Sequence, residues 1–277
     1  MTVPADSAKD QVRTATTGLV DLRESGRWAG GSAMYDGGEQ LVTGWHFHDV
    51  HEIEYACRGV VEVKTQAGHY LLPPHQAAWI PAGLQHQTTL NADAQTLAVL
   101  FEPRLVPTAG DRVRIIAVSA LLREMMLYSA RWPIARTESG AEADSFFGTL
   151  GYGVAEALED ERPLNLPVSA DPVVTAATEN TRAHLDRVTV SDVTRAVGVS
   201  ERTLRRIFST HLGMSWRSSL LRARVLRSMA MLAQPDRSVL EVSIAVGFDD
   251  PGAFARSFAA HCGETPSAYK RRISGAP

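Results

Sequence analysis

The sequence predicts an α+β protein: an N-terminal β-barrel with flanking helices, then an all-α C-terminal domain of two helix-turn-helix units. Three observations carry this. Between Leu41 and Phe101 short apolar runs alternate with turn residues, and from Arg112 to about Leu158 the apolar spacing becomes helical. Beyond that, the stretch Ala196–Gly213 returns about fifty residues later as Ala245–Gly263. A self-similar segment of this kind marks a repeated supersecondary unit.

In chain order, EYACRGVVEVKT, GHYLLPP, AAWIPAG and TLAVLFEP read as consecutive antiparallel strands, each bounded by Gly, Pro or polar clusters. Ile115, Val118, Leu121, Leu122, Met125 and Met126 then form one apolar helical face, and a second helical run covers Phe146 to Leu158. Such a helix pair packs outside a barrel, and its face suits a dimer interface. Residues 161–172 hold three prolines and read as an extended linker. The expected division is an arm over 1–29, a sensor barrel over 30–103, a helical dimerisation region over 104–160, the linker over 161–172 and the repeat-bearing domain over 173–277.

Each copy of the repeat reads as a short apolar helix, a Gly turn and a second helix with Arg on one face. In the first copy Val190–Ala196 precedes Gly198, Ser200 is the N-cap, and Glu201–Ser209 is the second helix. Leu204, Ile207 and Phe208 point inward at i, i+3, i+4, which leaves Arg202, Thr203, Arg205 and Arg206 for a ligand. A helix over Trp216–Leu232 joins the copies, with Arg217, Arg222, Arg224 and Arg227 expected outward. The second copy opens on the capping box Ser238–Glu241, and its second helix starts at Asp250 with Pro251 in the first turn. Here Gly252, Ala253 and Ala255 replace Arg202, Thr203 and Arg205, so only Arg256 stays basic. Charge follows the same division. Residues 181–277 hold 15 Arg/Lys against 8 Asp/Glu, whereas the whole chain carries −3. A basic C-terminal third implies duplex DNA as a partner, with the first copy carrying most base discrimination. The second copy positions the protein through backbone amides and Arg256.

Residues from about 175 to 273 resemble the DNA-binding domain of the AraC/XylS family of bacterial transcription regulators. Gly247, Phe248, Phe254, Arg256, Phe258, Gly263, Pro266 and Tyr269 fit its pattern. The resemblance implies two helix-turn-helix units entering successive major grooves on one DNA face. The Pro-Gly-Ala run at 251–253 departs from it, because many relatives carry larger polar residues there.

Six of the nine histidines lie between His46 and His86. His46 and His48, two apart on a strand, share a face, and Glu52 and His86 would join them from neighbouring strands. The series Gly44-Trp-His46-Phe-His48-x3-Glu52-x6-Gly59, followed by Pro81-x-Gly83-x-x-His86, resembles the two signature motifs of cupins over residues 30–103. That likeness implies His46, His48, Glu52 and His86 as ligands. Three imidazoles and a carboxylate suit divalent Zn, Ni, Fe, Co or Mn without choosing among them. Glu54 shares strand parity with Glu52 and is an effector contact or substitute ligand; Trp45 and Trp79 are candidate pocket walls. Asp49 and His51 are expected in a turn, His69 and His75 near solvent. His75 stands where cupins have Gly, which weakens an enzyme analogy.

The expected function is a DNA-binding transcription regulator, not an enzyme, whose barrel senses a metal ion or metal-held small molecule. One alternative is a metal-free regulator that answers an organic effector or uses the barrel only to dimerise. A remote one is a metal-dependent cupin enzyme with a DNA-binding appendage, for which only Glu54 is an evident acid–base group. A homodimer is expected, with RNA polymerase a candidate partner that no sequence feature marks. The apolar runs fall short of the ~20 residues a spanning helix needs, no signal segment opens the chain, and the protein is expected in the cytoplasm. Cys57 and Cys262 fall in different expected domains, which disfavours a disulfide.

Overall fold

Strands buried on both faces set the character of the N-terminal half. The structure, a computed structural model, describes residues 18–19, 30–36, 41–74, 76–90, 94–107, 110–134, 140–159, 161, 166–167, 169, 171–234 and 236–273. The expected arm over 1–29 and His75 therefore lie almost wholly outside the described residues. Two compact units divide the chain: one over 1–66 and 70–163, the other over 67–69 and 164–277.

In the first unit the strands are β1 (Gly18–Leu19), β2 (Gly30–Asp36), β3 (Leu41–Val42), β4 (His46–Phe47), β5 (His51–Arg58), β6 (Val61–Thr65), β7 (Gly68–Leu72), β8 (Gln76–Ile80), β9 (His86–Leu90), β10 (Gln95–Phe101) and β11 (Arg114–Ala117). Two sheets result, one running β1-β4-β9-β6-β7 with β3 also paired to β9, and one with order β11-β8-β5-β10-β2. From β5 to β10 the chain crosses between the sheets at every step except β6 to β7, which are neighbours in one sheet. Gly59, with φ +67° and Ala94 against its α-carbon, turns the chain from one sheet to the other. Apart from that pair, strands adjacent in sequence over this stretch lie in different sheets rather than side by side.

Period-2 patterning gives the five-stranded sheet two unlike faces. Ile53, Tyr55, Ala77, Trp79, Leu97, Val99 and Phe101 form one core with Leu122 and Met126 of α1 (Ala120–Ser129) and Phe147, Leu150 and Val154 of α2 (Ala141–Glu159). Glu52, Glu54, Ala78 and Ala98 take the opposite, inward face. Arg114–Ala117, expected at the head of a helix, is an edge strand paired with β8 instead. Its Ile-Ile pair, buried on both faces, suits a pleated strand, and the helix begins only after the N-cap Ser119. Leu121, expected in the apolar face, is 72 % exposed.

The second unit holds α3 (Pro172–Ala183), α4 (Val190–Val197), α5 (Glu201–Leu212), α6 (Trp216–Leu232), α7 (Val239–Ala245), α8 (Pro251–Cys262) and α9 (Pro266–Ile273). Within the expected linker, Leu166–Pro167 (β12) forms a short antiparallel ladder with Gly68–His69. Local sequence fixes most helix ends. Thr189 and Asp192 make a capping box, as do Ser238 and Glu241, while Ser200, Ser215 and Asp250 cap α5, α6 and α8. Gly198, Gly213 and Gly263 close α4, α5 and α8 in the left-handed conformation. Leu204, Ile207 and Phe208 are buried with Val174, Ala177 and Val193. In the second copy Phe248, Phe254, Phe258 and Tyr269 form a chain of ring contacts at 5.3–5.7 Å. No helix among the described residues is long and apolar enough to cross a membrane.

Candidate metal centre and nucleic-acid interface

His46 and His86 are direct cross-strand partners on β4 and β9, with ring centroids 4.3 Å apart. His48 lies just beyond β4, and its ring centroid is 5.2 Å from that of His86. One nitrogen of each imidazole falls within 4.8 Å of the others. Glu52 comes from the opposing sheet, not from a strand beside β9 as expected. Its Oε2 lies 2.7 Å from His48 Nε2 and 3.4 Å from His86 Nε2. The structure brings all four predicted residues together.

Each ring is oriented by the main chain. His46 Nδ1 donates to Gly44 O at 2.8 Å, His48 Nδ1 to Val50 O at 2.7 Å and His86 Nδ1 to Leu84 O at 2.9 Å. A carbonyl only accepts, so each Nδ1 carries the proton and each Nε2 is the atom left for a ligand. This is the outer support that metal-ligating imidazoles require. His86 is 0 % exposed, and its Nε2 has no hydrogen-bond partner of acceptable geometry. Burial and the neighbouring His86 hold the His46 imidazole down at about 4, hence neutral. Burial opposes charge on His48 as well, but the hydrogen bond and charge of Glu52 outweigh it and raise its pKa. Glu52 is buried, yet His48 and His86 hold its carboxyl well below the usual range. The residues fit a divalent transition ion: three pre-oriented nitrogens, one carboxylate and an orphaned buried Nε2.

Glu54 lies on the same inward face as Glu52, and burial followed by the Glu52 charge pushes its pKa well up. Trp79 does not wall this site. It stands opposite Ile53 in the ladder and packs toward the helices, because its parity differs from that of Ala78 and Ile80. Trp45 is half-buried beside His46. His51 begins β5 rather than lying in a turn. It accepts from Ala82 N–H at 2.9 Å, sits 4.9 Å from the Trp79 ring, and burial lowers it to about 4. Asp49 is in the expected bend, and His69 is buried rather than solvated.

In the second unit Ser200 caps α5 by accepting from Thr203 N–H. Arg202, Arg205 and Arg206 are exposed on that helix, and none enters an ion pair among the described residues. A groove of about 770 Å³ runs beside it, lined by Arg205, Arg217, Arg224 and Asp250. The caps Thr189, Ser215 and Asp250 also line it, so three helix N-termini meet there. Helix N-termini and guanidiniums suit phosphate. Arg224 is not outward as expected: its Nε donates to Leu185 O at 2.9 Å and its guanidinium covers the Phe248 ring.

The second reading helix differs in kind. The Asp250 carboxylate accepts from Gly252 and Ala253 N–H, both at 2.9 Å, and these bonds keep its pKa low. It also holds Arg256 Nη2 at 3.5 Å. The bare α-carbon of Gly252 makes room for that fold-back, since a Cβ there would lie 3.2 Å from Arg256 Nη1. Asp250→Asn keeps an acceptor for the cap and releases Arg256. The expected result is DNA binding about 3- to 10-fold tighter, with a salt slope steeper by about one. Fluorescence anisotropy at several salt concentrations measures both, and an unchanged affinity would show that Arg256 never meets phosphate.

Comparison with known proteins agrees with this division. Residues 30–164 match the AraC-like ligand binding domain and residues 193–272 match a helix-turn-helix domain. The chain is 25% identical over 248 residues to the HTH-type transcriptional regulator NimR of Escherichia coli (strain K12), covering 87% of each. It is 32% identical over 84 residues, 30% of each chain, to the Msm operon regulatory protein of Streptococcus mutans. It is also similar to the DNA-binding domain of AdpA, the global transcriptional factor, in a crystal structure with a target DNA: 28% identity over 38% of this chain and 96% of that one, TM-score 0.36. With both domain families matched in order and one relative matched along most of its length, the chain belongs to the AraC family, as a DNA-binding transcription regulator with a ligand-binding domain.

Proposed function

We propose that the N-terminal domain senses a divalent transition metal ion, or a small molecule held by one, through His46, His48, Glu52 and His86, and thereby alters DNA binding. One observation carries this reading: three imidazoles fixed through Nδ1 to main-chain carbonyls, with His86 Nε2 buried 3.4 Å from Glu52 Oε2 and without a hydrogen bond of acceptable geometry. A set of nitrogens and one carboxylate suits Zn, Ni, Fe, Co or Mn and would give the ion a fixed position in the barrel. The chain's own residues would orient the ligands and exclude water. The regulator works in the cytoplasm as a homodimer rather than as an enzyme. Exposed Leu121 on α1 and Tyr152 on α2, at 72 % and 80 %, support a second copy at that helix pair.

Elemental analysis of untagged protein purified without chelators tests the site. The expected result is near-stoichiometric metal in the native chain and about a hundredfold weaker retention in His46→Ala/His86→Ala. Operator titrations with and without the ion then measure the response. Native protein that stays metal-free and refuses added divalent ions would sink the reading.

A further inference from the structure

The inward face of the five-stranded sheet has a composition unlike its other side. The register sets Ala33, Ala98, Glu54 and Ala78 side by side across four strands, with Thr96 opposite Ala56 in the next row. Strand interiors favour β-branched and aromatic side chains, and the helix-facing side of these strands is filled that way, by Ile53, Trp79, Val99 and Phe101. In this row the inward side instead presents methyl groups around the Glu54 carboxyl, with Ile115 beyond Ala78 and with Leu100, Glu52 and Ile80 in the neighbouring row.

Polar groups in this patch are partly unmatched. Thr96 Oγ1 donates to Glu54 Oε1 at 2.6 Å. Gln76 precedes Ala78 by two on β8 and so shares its face. Gln76 is 5 % exposed, and its Oε1 has no hydrogen-bond partner. A buried amide oxygen left unpaired costs free energy that a bound donor would recover. Cations are missing from the patch. Among the described strand residues, Arg58 is exposed, Lys64 takes an outward-alternating position and Arg114 lies opposite Trp79.

We propose that Gln76, Glu54 and Thr96, over the methyl floor of Ala78 and Ala98, form an effector subsite for a small uncharged molecule that carries a hydrogen-bond donor. Amides and lactams are the chemical class. The donor meets Gln76 Oε1 and the apolar body lies on the alanines, while no side chain of the patch offers a countercharge to an anion. This rests on the N-terminal domain being a sensor and not on its holding a metal.

The test uses full-length protein, metal-loaded and EDTA-stripped, with metal content measured on the same samples. Matched fragment pairs, carboxamides such as benzamide and the corresponding carboxylates such as benzoate, are screened by saturation-transfer NMR. Carboxamides are expected to bind at least tenfold tighter than their carboxylates in both metal states. Gln76→Leu should weaken them about tenfold without lowering Tm, because it removes an unsatisfied buried amide. Ala78→Leu should abolish binding at unchanged or raised Tm, because it fills the space the ligand takes. Carboxylates binding as well as carboxamides, no carboxamide binding at all, or a Tm several degrees lower for Ala78→Leu would each overturn the proposal. Binding that vanishes only on stripping would mean a metal-held ligand and would also overturn it. Native protein that carries no metal and takes up no added divalent ion, yet still selects carboxamides, would sink the metal reading alone.

Discussion

Gly247→Ala is expected to unfold the DNA-binding unit at temperatures where the native chain is folded. Gly247 has φ +87° and sits where a Cβ would come 2.3 Å from Asp186 O and 2.6 Å from Arg224 Nη2. A left-handed alanine alone costs roughly 1–2 kcal/mol. The clash adds more, because one obstacle is backbone and the other is a guanidinium held on Leu185 O and over Phe248. The sum, about 3–5 kcal/mol, is a large part of a domain's usual stability. By calorimetry the C-terminal transition should fall by about 12 °C or more, with operator binding lost and metal retention unaffected. Gly198→Ala is the control. It has a similar φ, +68°, but nothing lies within 4 Å of the new Cβ, so its cost should be the backbone term alone. Equal Tm losses for the two variants would mean that close packing at Gly247 contributes nothing.

Replacing the exposed arginines of α5 should cut operator affinity far more than replacing Arg256 of α8. Each bidentate arginine–guanine pair is worth about 1–3 kcal/mol, roughly 5- to 150-fold. Arg202→Ala, Arg205→Ala and Arg206→Ala should each fall in that range where the residue reads a base, whereas loss of a phosphate contact lowers affinity evenly across sequences. Base analogues locate the contacts. 7-Deazaguanine under α5 should reproduce the loss in the native protein and add little in the matching variant. Under α8, where Ala253 and Ala255 offer only methyl groups, deoxyuridine in place of thymidine should cost a few-fold and deazaguanine nothing. Equal sensitivity of both half-sites to 7-deazaguanine would remove the asymmetry.

The C-terminal unit was largely legible in the sequence because its decisive interactions are local. Ser200, Ser238 with Glu241, Asp250 with Pro251, and the glycines at 198, 213 and 263 act within three or four residues of themselves. The apolar positions of α5 repeat at helical spacing. Arg224 was misplaced because its partners, Leu185 and Phe248, lie 39 and 24 residues away, and nothing in a Leu-Arg-Ala-Arg run distinguishes it from the exposed Arg217 or Arg227. The capping box of Thr189 and Asp192 is likewise set by residues three apart.

The barrel was legible as strands but not as neighbours. The identity of the four candidate ligands came from the resemblance of their motifs to those of cupins, with which the shared face of His46 and His48 agrees. That Glu52 reaches His48 and His86 from the other sheet depends on where the chain crosses between sheets, which short-range pattern does not encode. Trp79 and His51 fell on the helix-facing side through strand parity counted from a register that only pairing sets. Arg114–Ala117 resembled a helix start because a run of four apolar-rich residues satisfies both periods.

By itself, then, the sequence determined the tandem DNA-reading helices, their caps, the asymmetry of their basic residues and the list of histidines and carboxylates that could share a site. Tertiary structure decided which of those groups face one another, that each imidazole presents Nε2 inward, and that Gln76 and Glu54 share an alanine-lined face. The physical reason is range: helix caps and periodic stripes are set by contacts a few residues apart, whereas sheet order, register and burial are set by contacts across the whole domain.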